Sequence, residues 1–162
     1  HRHIGLIEGC NTHSGLLFSK TFMKCCAETG VARDQIHTYD GGQGWNLEGG
    51  FLAAQSLLDD HPEITCIMAG NDRMAIGAIS YLKKIGKRVP EDISVMGVDD
   101  IHAAAFSTPG LTTIWHDLYQ LGKMSFSRLL AMHRGQINSC AETLPVTLIE
   151  RASTAPAPQP QV

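Results

Sequence analysis

The sequence has few of the features that mark an enzyme or a membrane protein. It contains no G-x-S-x-G motif, no P-loop and no G-x-G-x-x-G after a predicted strand. No apolar run approaches the roughly 20 residues that a membrane-spanning helix needs. We therefore predict a protein that is not an enzyme and that has no membrane partner.

Cysteine usage gives no sign of disulfides or of a metal centre. The chain has five cysteines, an odd number, and no two of them form a C-x-x-C pair. Its eight histidines form no H-E-x-x-H pattern. We predict reduced thiols in a cytoplasmic protein that binds no metal and no cofactor. The formal net charge of −3 gives no general attraction to nucleic acid or to anionic membranes.

The ends of the chain also lack familiar features. The sequence begins His1-Arg2-His3-Ile4, with no initiator methionine and no signal peptide, and enters a strand almost at once. This beginning is typical of a piece of a longer protein. The 162 residues, 43% of them hydrophobic, are enough for one globular domain with a real core. Residues 152–162 are rich in Ser, Thr, Ala, Pro and Gln, and we expect a disordered tail there.

The most informative stretch runs from residue 65 to residue 100. The β-branched apolar run 65–69 predicts a buried strand, and the polar turn 70–72 ends it. Apolar residues over 74–85 recur with the period of a helix that buries one face. The run 93–98 predicts a second strand. This βαβ unit favours parallel strands that are covered on both faces.

Strand and helix patterns alternate along most of the remaining chain. Further strands are predicted over 3–7, 35–39, 111–115 and 144–149, and further helices over 16–29, 47–60 and 118–132. This alternation predicts an α/β fold, with a mostly parallel sheet flanked by helices.

Polar side chains follow two strands of the predicted sheet. Asn71 and Asp72 come after the first strand of the βαβ unit, and Asp99 and Asp100 come after the second. Because the carboxyl ends of parallel strands share one edge, where ligands bind in such sheets, these side chains should lie close together. Trp45, in a glycine-rich loop after another strand, should reach the same edge. Amides and carboxylates beside an aromatic face suit a ligand rich in hydroxyl groups.

Each of these residues also has an ordinary structural explanation. Asn71 can cap the following helix, Asp99 can accept hydrogen bonds from neighbouring backbone amides, and Trp45 can pack on the edge of the domain. An enzyme that uses Asp99 and Asp100 as a carboxylate pair is the weakest alternative. Adjacent residues of a strand point in different directions, so the two carboxylates should not share a proton or a metal.

Several segments together resemble a known family. They are A-G-N-D-R-M-A-I-G-A-I-S-Y-L, R-V-P-E-D-I-S-V-M-G-V-D-D-I, T-P-G-L-T-T-I and L-P-V-T-L-I-E-R-A-S-T-A-P. They are similar to the effector-binding domain of lactose-repressor-type (LacI/GalR) transcription regulators. The V-P-E-D-I-S-V-M-G-V-D-D run is the most specific, because transport proteins of the same fold usually lack it.

The resemblance implies a type I periplasmic-binding-protein-like fold with two lobes and an effector between them. Residues 1–110 would form the C-terminal lobe. Residues 111–137 would be a strand and helix that belong to an incomplete N-terminal lobe, and 138–151 would be the strand that returns to the C-terminal lobe. The apolar faces of the strand and helix should then lack a partner within this chain.

The resemblance also implies which residues bind the effector. Asn71 and Asp99 match the family's effector-binding Asn and Asp, and Trp45 matches an aromatic that packs on the sugar in some members. The family holds sugar hydroxyls with an arginine early in the first helix. Phe18 stands at that position in this sequence, and Lys20, the nearest cation, is the remaining candidate for binding the effector.

The partners implied are a sugar or polyol effector, a second copy of the chain, and operator DNA. DNA would be bound only through a helix-turn-helix, which this sequence does not contain. Effector binding would regulate transcription by shifting the population between DNA-binding and non-binding states. The alternative is a solute-binding protein of a sugar ABC transporter. The expected homodimer surface consists of Ile76, Ile79, Ser80, Lys83, Ile101 and Ala104.

Overall fold

The computed structural model of the chain describes residues 1–9, 12–42 and 45–158. Its strands are β1 (Ile4–Glu8), β2 (Ile36–Asp40), β3 (Cys66–Ala69), β4 (Ser94–Met96), β5 (Thr113–His116) and β6 (Val146–Ile149). Its helices are α1 (His13–Glu28), α2 (Leu47–Asp60), α3 (Asp72–Lys84), α4 (His102–Phe106) and α5 (Leu118–His133). Within the described part of the chain, no helix is long and apolar enough to cross a membrane.

Four strands form one parallel sheet in the order β2-β1-β3-β4. Ile4 of β1 is in register with Ile36 of β2 and with Cys66 of β3, and Cys66 is in register with Ser94 of β4. The predicted α/β class and the mostly parallel sheet are confirmed. All four carboxyl ends therefore lie along one edge of this sheet.

Helices α2 and α3 pack closely against each other and against one face of the sheet. Two glycines allow the approach: a Cβ at Gly50 would overlap the Met74 backbone, and a Cβ at Gly77 would overlap the Leu47 carbonyl oxygen. Leu57 and Leu82, both fully buried, lie in the core that this packing forms. The start of α3, with Asn71 and Asp72, is thereby held at the sheet edge.

Helix α1 lies on the opposite face of the sheet. Successive residues of a strand point to opposite faces, and Gly5 faces Leu57 of α2 while Ile4 packs with Cys26 of α1. This second core is small and contains Val31 in addition. Most of α1 remains exposed, including Leu16 and Leu17.

Strand β5 begins beside β4 and then leaves the main sheet. The backbone N–H groups of Gly97 and Asp99 donate to the carbonyl oxygens of Thr112 and Ile114, at 3.0 and 2.9 Å. Along its whole length β5 also pairs with β6, in a separate two-stranded antiparallel sheet. Helix α5, which connects these two strands, contains no buried residue.

The chain then returns along the open edge of β4. The Val95 N–H donates to the Ser153 carbonyl at 2.8 Å, and the Ser153 hydroxyl donates to the Val95 carbonyl at 2.6 Å. Ser153 is fully buried, which differs from the disordered tail expected from residue 152. An unpaired strand edge needs hydrogen-bond partners, and this short segment supplies them. Residues 159–162 of the expected tail lie outside the described residues.

Candidate functional site

Asn71 has two structural contacts at the carboxyl end of β3. Its Oδ1 accepts a hydrogen bond from the Met74 N–H at 2.9 Å, which caps α3. Its Nδ2 donates to the Trp45 carbonyl oxygen, also at 2.9 Å. The capping explanation is therefore correct. One amide hydrogen and one lone pair of Asn71 remain without a partner in the described part of the chain, so the side chain can also contact a ligand.

Trp45 packs across the ends of two strands. A Cβ at Gly9, just after β1, would overlap the indole ring, and a Cβ at Gly70, just after β3, would lie 3.1 Å from it. A side chain at Gly9 would displace the ring, whereas one at Gly70 would require a shift of a few tenths of an ångström. Trp45 itself has a left-handed backbone, with φ of +44°. The ring thus packs on the domain edge, and it remains partly exposed there.

Asp99 lies just beyond the carboxyl end of β4. Its backbone conformation is uncommon for a residue other than glycine, with φ of +111°. Its carboxylate makes no hydrogen bond with any described residue, so it does not bind neighbouring backbone amides as the alternative explanation required. Burial raises the pKa of this carboxyl, and the nearby His116 and Arg73 oppose the rise. A half-buried carboxylate without a hydrogen-bond partner at this edge is the arrangement expected of a ligand contact.

Asp99 borders a cavity of about 550 Å³ between the end of β4 and the junction of β5 with α5. Its lining residues are Asp99, Asp100, Ile101, Trp115, His116, Asp117, Leu118 and Tyr119. His116 and Tyr119 were not recognised from the sequence, because they belong to β5 and α5 and no motif connects them to Asp99. Asn71, Trp45 and Lys20 do not line this cavity.

Asp72 has a role that the sequence did not reveal. It is fully buried, and its two oxygens accept hydrogen bonds from the Thr113 hydroxyl at 2.5 Å and the Ile101 N–H at 2.8 Å. Burial is the main cause that raises the pKa of this carboxyl. Asp72 therefore joins the start of α3 to the start of β5 and to the segment before α4.

A largely buried ion pair joins the turn after β4 to the chain that follows β6. The Arg151 guanidinium donates to the Asp100 carboxylate at 2.7 Å and to the Leu111 carbonyl at 2.9 Å. Asp100 also has a left-handed backbone, with φ of +50°. The contact with Arg151 therefore helps to hold this strained turn in place.

Lys20 and Phe18 occupy different sides of α1. Lys20 is exposed, and a separation of two residues on a helix places it roughly 200° around the axis from Phe18. Phe18 lines an apolar groove of about 470 Å³ together with Met68 and Ile114. The structure thus directs Phe18, and not Lys20, toward the sheet.

The expected homodimer surface is partly accessible. Ser80 and Lys83 are exposed, and Ile76 and Ile101 are partly exposed. Ile79 is 5% exposed, and Ala104 is fully buried. Any contact between copies on this face would therefore be made by the four exposed or partly exposed residues. The buried Ile79 and Ala104 would pack beneath them.

Comparison with known proteins identifies relatives of this chain. A model of the periplasmic binding protein-like domain family matches residues 1–154. The HTH-type transcriptional repressor PurR of Edwardsiella ictaluri is 36% identical over 163 residues, which cover 98% of this chain and 46% of that protein. The lactose operon repressor of Escherichia coli is 36% identical over 125 residues, which cover 76% of this chain and 35% of that protein.

Solved structures agree with the sequence matches. The lac repressor dimer bound to operator and the anti-inducer ONPF aligns with a TM-score of 0.86 and 31% identity, over 95% of this chain and 53% of that chain. A LacI family regulator from Enterococcus faecium with bound ribose aligns with a TM-score of 0.82 and 30% identity, over 96% of this chain and 58% of that chain. The chain spans about half the length of the relatives that it matches.

Proposed function

The chain belongs to the periplasmic binding protein-like domain family, and we propose that it is the effector-sensing, dimer-forming part of a LacI-type transcriptional repressor. The resemblance to LacI-type regulators is confirmed by the similarity to PurR and to the lac repressor. In this proposal the complete protein is cytoplasmic, is not an enzyme and binds operator DNA through a helix-turn-helix. The transporter alternative is not favoured, because the matched relatives are named as repressors.

The proposed effector is a small molecule rich in hydroxyl groups, such as a sugar or polyol. The observation that carries this proposal is the half-buried Asp99 carboxylate, which no described residue satisfies, at the edge where Asn71 keeps a spare amide hydrogen. Both groups bind hydroxyls well, and the partly exposed Trp45 ring provides a face for the C–H surface of a sugar. Lys20 is exposed on a different side of α1 from Phe18, so we place it at the periphery of the site.

The effector proposal is tested first with the full protein. Thermal unfolding and calorimetry with a panel of pentoses and hexoses, including ribose, should identify at least one that raises the Tm. For that sugar, Asp99→Asn should weaken binding about 5- to 150-fold, the equivalent of roughly 1–3 kcal/mol for an unpaired buried partner. Asn71→Ala should weaken it as well, with some additional loss of stability from the missing cap.

Asp60→Asn is the matched control, because Asp60 is exposed at the end of α2. It makes the same chemical change away from the site and should leave the titration unchanged. If no sugar raises the Tm, or if Asp99→Asn binds as tightly as the unmodified protein, a hydroxyl-rich effector at this edge is ruled out.

We further propose that residues 111–137 pack against a lobe formed by another part of the complete protein. Helix α5 buries no residue, and Phe126 and Leu129 are about two-thirds exposed. Apolar faces of this size are normally covered. Hydrogen exchange should be slow in α5 in the complete protein and fast in residues 1–162 alone. Equal protection in both would contradict this assignment.

The proposed homodimer is tested on its exposed residues. Lys83→Glu changes the charge of the surface near Ile76 and Ser80 without altering the core, since Lys83 is exposed. Sedimentation equilibrium should show weaker self-association for Lys83→Glu than for Lys123→Glu, a matched change on exposed α5. Identical dimer dissociation constants would move the interface to another face.

A further inference from the structure

Three histidines and one glutamate meet at the amino edge of the main sheet, opposite the proposed effector edge. His3 lies just ahead of β1 and His37 lies in β2, while His61 follows α2 and Glu63 lies in the turn before β3. The four residues come from separate parts of the sequence, and the parallel sheet brings them together.

The strand register explains why two of the histidines face the same way. Gly5 is directly opposite His37, and His3 precedes Gly5 by two residues, so alternation places all three on one face. It is the face covered by α2, because Gly5 lies against Leu57. Helix α2 ends over this corner of the sheet, which is how His61 and the following turn reach it.

The ligand-type atoms of these side chains converge on one carboxylate oxygen. Glu63 Oε1 lies 3.5 Å from His37 Nε2, 3.5 Å from His61 Nδ1 and 3.9 Å from His3 Nδ1. One ligand atom each from His3, His37 and Glu63 lies within 4.8 Å of the other two. The His61 ring stacks on His37 with centroids 3.6 Å apart, which helps to fix the orientation of His37.

Two atoms of this cluster lack hydrogen-bond partners. Among the described residues, the buried side-chain polar atoms without a hydrogen bond are His3 Nδ1 and His37 Nε2. Buried polar atoms are rarely left unpaired, because each costs free energy comparable to a lost hydrogen bond. Both unpaired atoms face Glu63, and a cation between the three groups would satisfy them together.

We propose that His3 Nδ1, His37 Nε2 and the Glu63 carboxylate bind a divalent transition-metal ion of the zinc type. Two imidazole nitrogens and one carboxylate oxygen are a ligand set that Zn²⁺ uses, with a fourth position left open for water. A zinc ion lies about 2.0–2.2 Å from each of its ligand atoms. To share one ion, the His3, His37 and Glu63 ligand atoms need to move only modestly closer to one another than they are here. A bound ion would tie the start of β1, β2 and the turn before β3 to one point.

The charge states of these groups agree with the geometry. Burial is the main cause that lowers the pKa of His37, which favours the neutral imidazole that binds metals. A hydrogen bond from its own backbone N–H is the main cause that lowers the pKa of Glu63, and desolvation opposes it. The carboxylate is thus ionised at neutral pH, as a metal ligand must be.

The test is a titration of the full protein with Co²⁺, followed by displacement with Zn²⁺, in a non-thiol reductant. We expect visible d–d absorption that saturates at one ion per chain, without the near-ultraviolet charge-transfer bands that cysteine ligands produce. Zn²⁺ should abolish the spectrum and raise the Tm. No saturable binding, or a spectrum with thiolate bands, would overturn the proposal.

Variants assign the site to named residues. Glu63→Gln removes a ligand on an exposed turn and should fold normally, and His37→Gln removes a nitrogen while retaining similar size. Each should weaken Co²⁺ binding at least about tenfold, since even groups that only orient a ligand contribute that much. His133→Gln, a change at an exposed histidine at the end of α5, should have no effect. Unchanged affinity in Glu63→Gln and His37→Gln would place the ion elsewhere and refute the site.

Discussion

Helices α3 and α5 have similar sequence patterns and opposite environments. Both are amphipathic and end with basic residues, yet α3 buries eight of its 13 residues and α5 buries none of its 16. The difference lies in their neighbours. Helix α3 connects two strands of a four-stranded sheet and packs on α2, whereas α5 connects two strands that form only a hairpin-sized sheet. An amphipathic pattern predicts that a face will be covered, but it does not say by which part of the protein.

The comparison implies that the stability of this chain resides in its main sheet and in α2 and α3. A two-stranded sheet is marginal by itself, and the apolar residues of α5 contribute little while water covers them. The junction between the two regions combines backbone hydrogen bonds from Gly97 and Asp99 with the side-chain contacts of Asp72 and Arg151. Three substitutions, each with a matched partner, test this division.

Removing the same side chain from each region should have the largest effect. Leu82 of α3 is fully buried, and Leu129 of α5 is 65% exposed. Leu82→Ala should lower the free energy of unfolding by about 2–5 kcal/mol, because it removes buried apolar surface and leaves a cavity. Leu129→Ala should change it by less than about 0.5 kcal/mol. Urea unfolding measures both values, and similar losses for the two variants would mean that α5 is packed after all.

Breaking the junction between the regions should have the next largest effect. Asp72→Ala leaves the buried Thr113 hydroxyl and the Ile101 N–H without their acceptor, so we expect a loss of about 2–4 kcal/mol. Asp60→Ala, at an exposed carboxylate, is the control and should cost little. A loss below about 0.5 kcal/mol for Asp72→Ala in thermal or urea unfolding would show that the Asp72 contacts do not stabilise the fold.

Adding a methyl group should have the smallest effect, and its sign should differ between the regions. Gly77→Ala places a Cβ against the Leu47 carbonyl, which forces α2 and α3 apart and should cost about 1–3 kcal/mol. Gly122→Ala of α5 meets no atom within 4 Å, so the better helix propensity of alanine should stabilise the chain by about 0.5–1 kcal/mol. Opposite shifts in Tm are expected, and shifts of the same sign would contradict the contrast between the two helices.

Much of the fold was predictable, because local patterns and tertiary contacts agree there. Helix α2 has the predicted bounds, and the other main elements begin and end within a few residues of their predictions. The strand predicted over 93–98 is shorter in the structure, where β4 ends at Met96, because Gly97 and Asp99 turn to meet β5. The segment at 153–155 was predicted as disordered, because its composition carries no sign of the strand edge that it covers.

The candidate site was only partly predictable. Asn71, Asp99 and Trp45 were correctly expected at one edge, since each follows a strand of the parallel sheet and the carboxyl ends of such strands share an edge. The sequence did not reveal that Asp72 is a fully buried acceptor, because burial depends on where β5 crosses. The sequence also did not show which of Lys20 and Phe18 faces the sheet. The two residues are only two positions apart but lie on different sides of one helix.

The sequence by itself determined the alternation of strands and helices, the parallel sheet and the polar residues at its carboxyl edge, because these depend on local periodicity and on residue order. Only the tertiary structure decided which apolar faces are covered, how Asp72 and Arg151 join the two regions, and that His3, His37 and Glu63 meet at the opposite edge. No spacing motif connects these residues in the sequence. Their proximity comes from strand register and from where one helix ends, which are properties of packing between distant segments.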